Sequence, residues 1–334
     1  MSKGQPPPFD PELAGPLEGI LAGLPSMTAD QIPDRRARTV AGRLTDEQIR
    51  RNGAFDLVER QIPGYADGAG VALLICRPTA TPGPHPVIFS IHGGGMVAGD
   101  ARTADLIGEL DRAEHLQLAV ISVEYRLAPE HPDPIPVEDC YAALRWVVEH
   151  GAELRIDPDR IIVSGNSAGG GLAAGVALIA RDRGGPDLIG QMLQCPMLDD
   201  RCDTESARQM EHVGLWNTLS NRTGWTALLG ERRGGAEVSP YAAPARAADL
   251  SGLPPAFIDV GSVESLRDEA VQFALEMWRV GGSAELHVWS GAFHSFDQWV
   301  PGAVVSDSAV KARLAWLRRV LDNARPTRPH PQGA

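Results

Sequence analysis

The chain of 334 residues is 43% apolar and 22% charged, with a formal net charge of −12 and a pI near 5.2. That composition supports a packed core and excludes a disordered chain. The acidic balance argues against nucleic acid and against an anionic membrane surface as partners, because either selects a basic face.

The four cysteines, Cys76, Cys140, Cys195 and Cys202, are scattered and form no CxxC pair. They read as buried free thiols rather than a disulfide framework. No His or Cys partners stand at zinc-ligand spacing, so no metal is expected. The opening "MSKGQPPPFDPELAGPL" lacks a basic segment followed by a long apolar one. No run of about 18 apolar residues occurs. The expectation is a cytoplasmic chain without stable membrane insertion.

In chain order, residues 1–8 are rich in Pro and Gly and read as loose. Residues 9–52 carry short helical patterns. Asp10 before Pro11 fits an N-cap followed by proline at the first helical position. Apolar, β-branched runs at 70–78, 86–94, 118–126, 160–166, 189–197, 256–262 and 284–290 then predict strands. Helical patterns fall at 103–115, 137–150, 168–182, 267–280 and 306–323. Strands apolar on both faces, alternating with helices, predict a mostly parallel sheet covered on both sides, an α/β architecture. Residues 199–247 break the alternation. They are polar, rich in Arg and Gly, and carry Leu215, Trp216, Trp225, Leu228 and Leu229. A stretch that long between two core strands predicts an insertion with its own helices. The expected division is N-terminal helices over 1–52, a core over 53–198 and 248–323, the insertion 199–247, and a disordered tail over 324–334.

The stretch "GNSAG" (165–169) follows the strand pattern "RIIVS" and opens the helical "AGGGLAAGVALIARD". A Ser at a sharp strand-to-helix turn flanked by small residues is the geometry of an exposed nucleophile, here Ser167. The competing reading is a loop that is small only because it packs tightly. "HGGGM" (92–96) follows another strand. Its consecutive glycines let N–H groups face a site, as an oxyanion hole requires, with the N–H of Ala168 as a second source. It lacks the G-K-[ST] ending of a phosphate loop and fits G-x-G-x-x-G poorly.

A Ser nucleophile needs a base and an acid. His294 follows the last strand pattern, and loops after parallel strands gather at one sheet edge. His85, His131, His150 and His330 read as solvated and idle, and His92 as shaping the glycine loop. Glu264 sits in the loop after "AFIDV", in the order Ser, acid, His. Asp268 is the next candidate acid. Asp268 and Glu269 fall in a helix's first turn, where acids suit the dipole, and Asp259 lies inside the strand.

With "HGGG" (92–95), "EYRLAPEHP" (124–132), "GNSAGG" (165–170), "SLRDE" (265–269) and His294 two before Phe296, the chain resembles the hormone-sensitive-lipase-like branch of the α/β hydrolases, bacterial family IV. The resemblance runs from about residue 70 to the C-terminal helix. It implies an α/β-hydrolase fold and hydrolysis of short- to medium-chain carboxylic esters through Ser167, His294 and Glu264. It implies oxyanion donors from the N–H groups of Gly94, Gly95 and Ala168. It also implies a cap built from the N-terminal helices and the insertion, and no cofactor or metal. Three positions depart from the family's common residues: Asn166 where Asp or Thr is frequent, Glu264 for Asp, and Ser295 for Gly.

The same triad chemistry serves lactones and amides, and a non-catalytic ligand receptor on this fold is the reading from another class. Dehalogenases and epoxide hydrolases want an Asp at the turn. The acidic surface favours small, water-soluble esters. Leu215 and Trp216 line a pocket or form the cap's own core. The strand 284–290 is the candidate edge for a homodimer.

Overall fold

The computed structural model describes residues 4–66 and 69–324. Eight strands, β1 (Phe55–Pro63), β2 (Gly70–Pro78), β3 (His85–Ile91), β4 (Ala119–Glu124), β5 (Ile156–Asn166), β6 (Gly190–Gln194), β7 (Ala256–Gly261) and β8 (Ala284–Trp289), form one sheet. Its order is β1-β2-β4-β3-β5-β6-β7-β8. From β4 across to β8 every neighbouring pair is parallel. β2 runs antiparallel to both β1 and β4.

Alternate residues of the central strands feed two separate cores, which is why these strands are apolar on both faces. On one side Phe89, Ile121 and Val163 pack with the helices Ile135–Glu149, Ala168–Asp182 and Arg267–Arg279. On the other, Ile88, Val120 and Ile162 pack with Asp105–Leu116 and Val304–Asn323. The three-layer α/β-hydrolase fold follows from that double burial.

The strand β1 is missing from the sequence-based prediction. Its residues pair with β2 along the full length, from Phe55 against Pro78 to Pro63 against Gly70. Only Phe55, Leu57 and Ile62 are buried, while Glu59, Arg60 and Gln61 face solvent. An edge strand exposed on both faces over three consecutive residues gives a weak apolar signal.

Asp10 caps the helix Pro11–Gly23 through a hydrogen bond from Glu12 N, with Pro11 at the first helical position. The helix Ile32–Ala41 follows. The segment 199–247 carries two short helices, Glu205–Gln209 and Thr218–Leu229. Its Trp225, Leu228 and Leu229 join the main core. The N-terminal segment touches this insertion directly: Met27 N donates to Ser220 Oγ at 2.9 Å, and Asn217 Nδ2 donates to Ser26 Oγ.

Three histidine expectations need correction, the first because His131 is half-buried rather than solvated. His85 is buried at the head of β3, where it registers against Ile156, and burial lowers its pKa. His150 is half-buried and stacks on Trp146, with ring centroids 4.0 Å apart. All four cysteines are buried and free. Among the described residues no helix is long and apolar enough to cross a membrane. Of the tail expected over 324–334, residues 325–334, His330 among them, lie outside the described residues.

Candidate active site

β5 ends at Asn166, and the helix Ala168–Asp182 begins two residues later. The reversal falls on Ser167, with φ 58° and ψ −120°. A non-glycine residue held there costs on the order of 1–3 kcal/mol and persists only if its surroundings over-determine it. They do. Ser167 N donates to Gln194 O at 2.8 Å, and Ser167 O accepts from Gly171 N at 3.1 Å and Met197 N at 3.0 Å. The helix lies close because its first turn is small: a Cβ on Gly169 would stand 2.0 Å from Ile91 O.

The structure brings three expected side chains into a line. His294 Nε2 is 2.9 Å from Ser167 Oγ, and His294 Nδ1 is 3.0 Å from Glu264 Oε1. The second Glu264 oxygen accepts from Gly261 N at 3.2 Å. Ser167, His294 and Glu264 are 4%, 6% and 2% exposed, so water screens this line poorly. Burial alone lowers the His294 pKa. The neighbouring Cys195 sulfur and the Glu264 carboxylate outweigh it and raise the value well above that of an ordinary imidazole.

The rival acids are occupied elsewhere. Asp268 Oδ2 accepts from Ser206 N at 2.7 Å, and Glu269 Oε1 accepts from Leu198 N at 2.7 Å. Asp259 accepts from Trp289 Nε1 at 3.0 Å and from Arg313 Nε at 2.9 Å.

The glycine loop presents its backbone to the same place. Gly94 and Gly95 have φ of +113° and +65°. A Cβ on Gly94 would stand 2.1 Å from Ala98 O. Gly93 N is taken by Asp105 Oδ2 at 2.7 Å. Among the described residues no protein acceptor takes the N–H groups of Gly94 and Gly95, and Ala168 is the first residue of its helix, where N–H groups have no intrahelical partner. His92 braces the loop: its Nδ1 lies 2.8 Å from Gly93 O, and its ring stacks on Tyr125 at 4.2 Å. Burial drives its pKa down to about 4, so it stays neutral. Tyr125 donates to His92 O at 3.0 Å, and Ala128 N donates to Met96 O at 2.9 Å, so the 124–132 stretch holds the loop from beneath.

A cavity of about 330 Å³ opens over these groups. Leu24 and Met27 from the N-terminal segment and Leu215 and Trp216 from the insertion line it with Ser167 and His294. The Trp216 and His294 rings lie 6.0 Å apart. A larger cleft of about 620 Å³ beside Asp10 and Trp289 contains none of the reactive groups.

Sequence reasoning missed a set of neighbours. Cys195 Sγ, Glu264 and His294 place one potential ligand atom each within 4.8 Å of one another. Spacing along the chain gives no hint of this, because Cys195 follows β6 while the other two follow β7 and β8. Asn166, Ser295 and Asp105 were likewise not identified as partners of the site.

A family model described as the alpha/beta hydrolase fold matches residues 88–298. The carboxylesterase NlhH of Mycobacterium tuberculosis is 35% identical over 270 residues, covering 79% of this chain and 83% of that protein. The esterase LipI of the same organism is 36% identical over 238 residues, covering 71% and 73%. Among solved structures, a bacterial heroin esterase superposes with a TM-score of 0.86 at 40% identity, over 95% of this chain and 98% of that one.

Proposed function

The chain belongs to the alpha/beta hydrolase fold family, in its hormone-sensitive-lipase-like branch, and we propose that it is a serine carboxylesterase acting on short- to medium-chain esters through Ser167, His294 and Glu264. The observation that carries this reading is the continuous line from Ser167 Oγ through His294 to Glu264, at 2.9 and 3.0 Å, with the serine on a strained turn. Relatives named carboxylesterase and esterase support the class of reaction.

His294 Nε2 takes the Ser167 proton as Oγ attacks the ester carbonyl. Glu264 holds Nδ1–H and stabilises the imidazolium that forms. The developing oxyanion is met by the N–H groups of Gly94, Gly95 and Ala168, each worth roughly 3–4 kcal/mol of barrier. The tetrahedral centre collapses, His294 gives its proton to the departing alcohol, and the acyl group stays on Ser167. Water, activated by the same imidazole, repeats the sequence and frees the acid. No step calls for a cofactor or metal.

Residues 1–52 and 199–247 act as the cap that shapes the cavity. Leu24, Met27, Leu215 and Trp216 in its wall and the Met27–Ser220 bond support this. The unpaired edge of β8 is the proposed face of a homodimer.

An alkyl fluorophosphonate tests the nucleophile. The expected adduct is one phosphonyl group on Ser167 by peptide mass mapping, lost in His294→Ala. An adduct confined to another residue would overturn the assignment.

A further inference from the structure

We propose that the ester cleaved here carries a carboxylate at its far end, and that Arg35 and Arg38 bind it. This inference rests on the esterase reading and narrows its substrate class.

The helix Ile32–Ala41 carries three arginines, and they have different surroundings. Arg36 turns away from the cavity. Its Nη atoms pair with Glu130 at 2.8 and 2.7 Å, and its Nε donates to Val97 O at 2.7 Å. Arg35 and Arg38 line the cavity that holds Ser167 and His294. Among the described residues neither has a carboxylate partner. Arg35 Nη2 reaches only Pro25 O, at 3.4 Å, and Arg38 Nη1 donates to Gly23 O.

That is unusual in this chain. Acidic residues outnumber Lys and Arg by 43 to 31, and other arginines find acids readily, as in Arg43–Asp100, Arg51–Asp111 and Arg102–Glu59. Residues at i and i+3 of a helix are neighbours, so two like charges there repel. Burial lowers the Arg35 pKa most, and the Arg38 charge lowers it further. Among the described residues the one carboxylate in the cavity wall is Asp105, already engaged by Gly93 N at 2.7 Å and by the Gln298 side chain. An incoming carboxylate relieves the repulsion and offers both guanidinium forks a planar, bidentate partner. The apolar wall of Leu24, Met27 and Trp216 suits a short hydrocarbon spacer between that carboxylate and the scissile carbonyl. The substrate class is therefore a half-ester of a dicarboxylic acid, with its free carboxylate at the far end of the acyl chain.

The test compares kcat/KM for para-nitrophenyl hydrogen adipate and para-nitrophenyl hexanoate, with the Ser167→Ala rate subtracted. The probes share chain length and leaving group and differ in the terminal carboxylate. The expected result is a preference for the charged probe of about 5- to 10-fold. High salt should erode it, since screening at ~1 M shortens the Debye length to about 3 Å. Arg35→Gln with Arg38→Gln should collapse the ratio toward one, and Arg35→Lys with Arg38→Lys should keep most of it. Preference for hexanoate, or a ratio unmoved by both salt and the Gln pair, would overturn the proposal and leave the arginines as clamps on the 23–25 segment. If the Gln pair fails to fold, the salt dependence of the wild-type ratio decides. Absence of Ser167-dependent hydrolysis of either probe would instead overturn the esterase reading itself.

Discussion

Ser295 Oγ donates a 3.1 Å hydrogen bond to Asn166 Oδ1, tying the residue after the histidine to the residue before the nucleophile. Asn166 Nδ2 continues to Cys195 Sγ at 3.4 Å, and that sulfur lies 3.6 Å from Ser295 Oγ. The three side chains close a ring behind the Ser167–His294 contact.

The ring predicts a split between two variants. Ser295 has φ 56°, so glycine there relieves backbone strain while losing the hydrogen bond to Asn166 and the longer contact with Cys195. These effects are about 1 kcal/mol each and oppose one another, so Ser295→Gly should melt within ~1 kcal/mol of wild type. Asn166→Ala loses both bonds inside a buried site, and should destabilise by about 1–3 kcal/mol and lower kcat more than it raises KM. Chemical denaturation and steady-state kinetics read both. Equal effects from the two variants would contradict the ring.

The Cys195 sulfur and the Glu264 carboxylate together set the pH dependence. His294 acts as a base only when neutral, and its pKa lies above the ordinary imidazole value. The rising limb of kcat/KM should therefore sit at higher pH than a free imidazole gives. Glu264→Gln should move that limb downward and cut kcat by roughly 10⁴-fold. A limb that stays in place would assign it to another group.

Trp216 walls the cavity and faces the His294 ring. Trp216→Ala should shift preference toward longer acyl chains, measured across a para-nitrophenyl ester series. An unchanged optimum would place the acyl group elsewhere in the cavity.

Arg36 links the N-terminal helix to the glycine loop through Val97 O at 2.7 Å and Ala128 O at 2.8 Å. Arg36→Ala should cost about 1–3 kcal/mol in denaturant unfolding. The Arg36 hydrogen bonds also hold Glu130 down to about 2. Its stabilising share is thus complete above the ordinary carboxylate pKa and disappears as pH falls through about 2. Glu130 is well exposed, so that share is small against the backbone contacts.

The central strands were legible because both their faces are buried, which leaves unbroken apolar runs such as "AVISV" and "RIIVS". β1 was not, because the consecutive Glu59, Arg60 and Gln61 are exposed on both faces of this edge strand and interrupt the run. Ser167, Glu264 and His294 could be proposed from position alone, since each follows a parallel strand and the fold gathers those ends. The ring of Asn166, Cys195 and Ser295 could not, because its members lie 29 and 129 residues apart and meet only through β5, β6 and the loop after β8. The same holds for Arg35 and Arg38. Their spacing puts them on one helix face, and only the packed structure turns that face toward the cavity.

The most direct measurement is hydrolysis of para-nitrophenyl esters across acyl lengths by wild type beside Ser167→Ala. Turnover that peaks at a short to medium chain and disappears in the variant is the predicted result. Turnover that survives the loss of Ser167 Oγ would contradict the proposed nucleophile, and a folded wild type inert toward every ester would contradict the proposed activity.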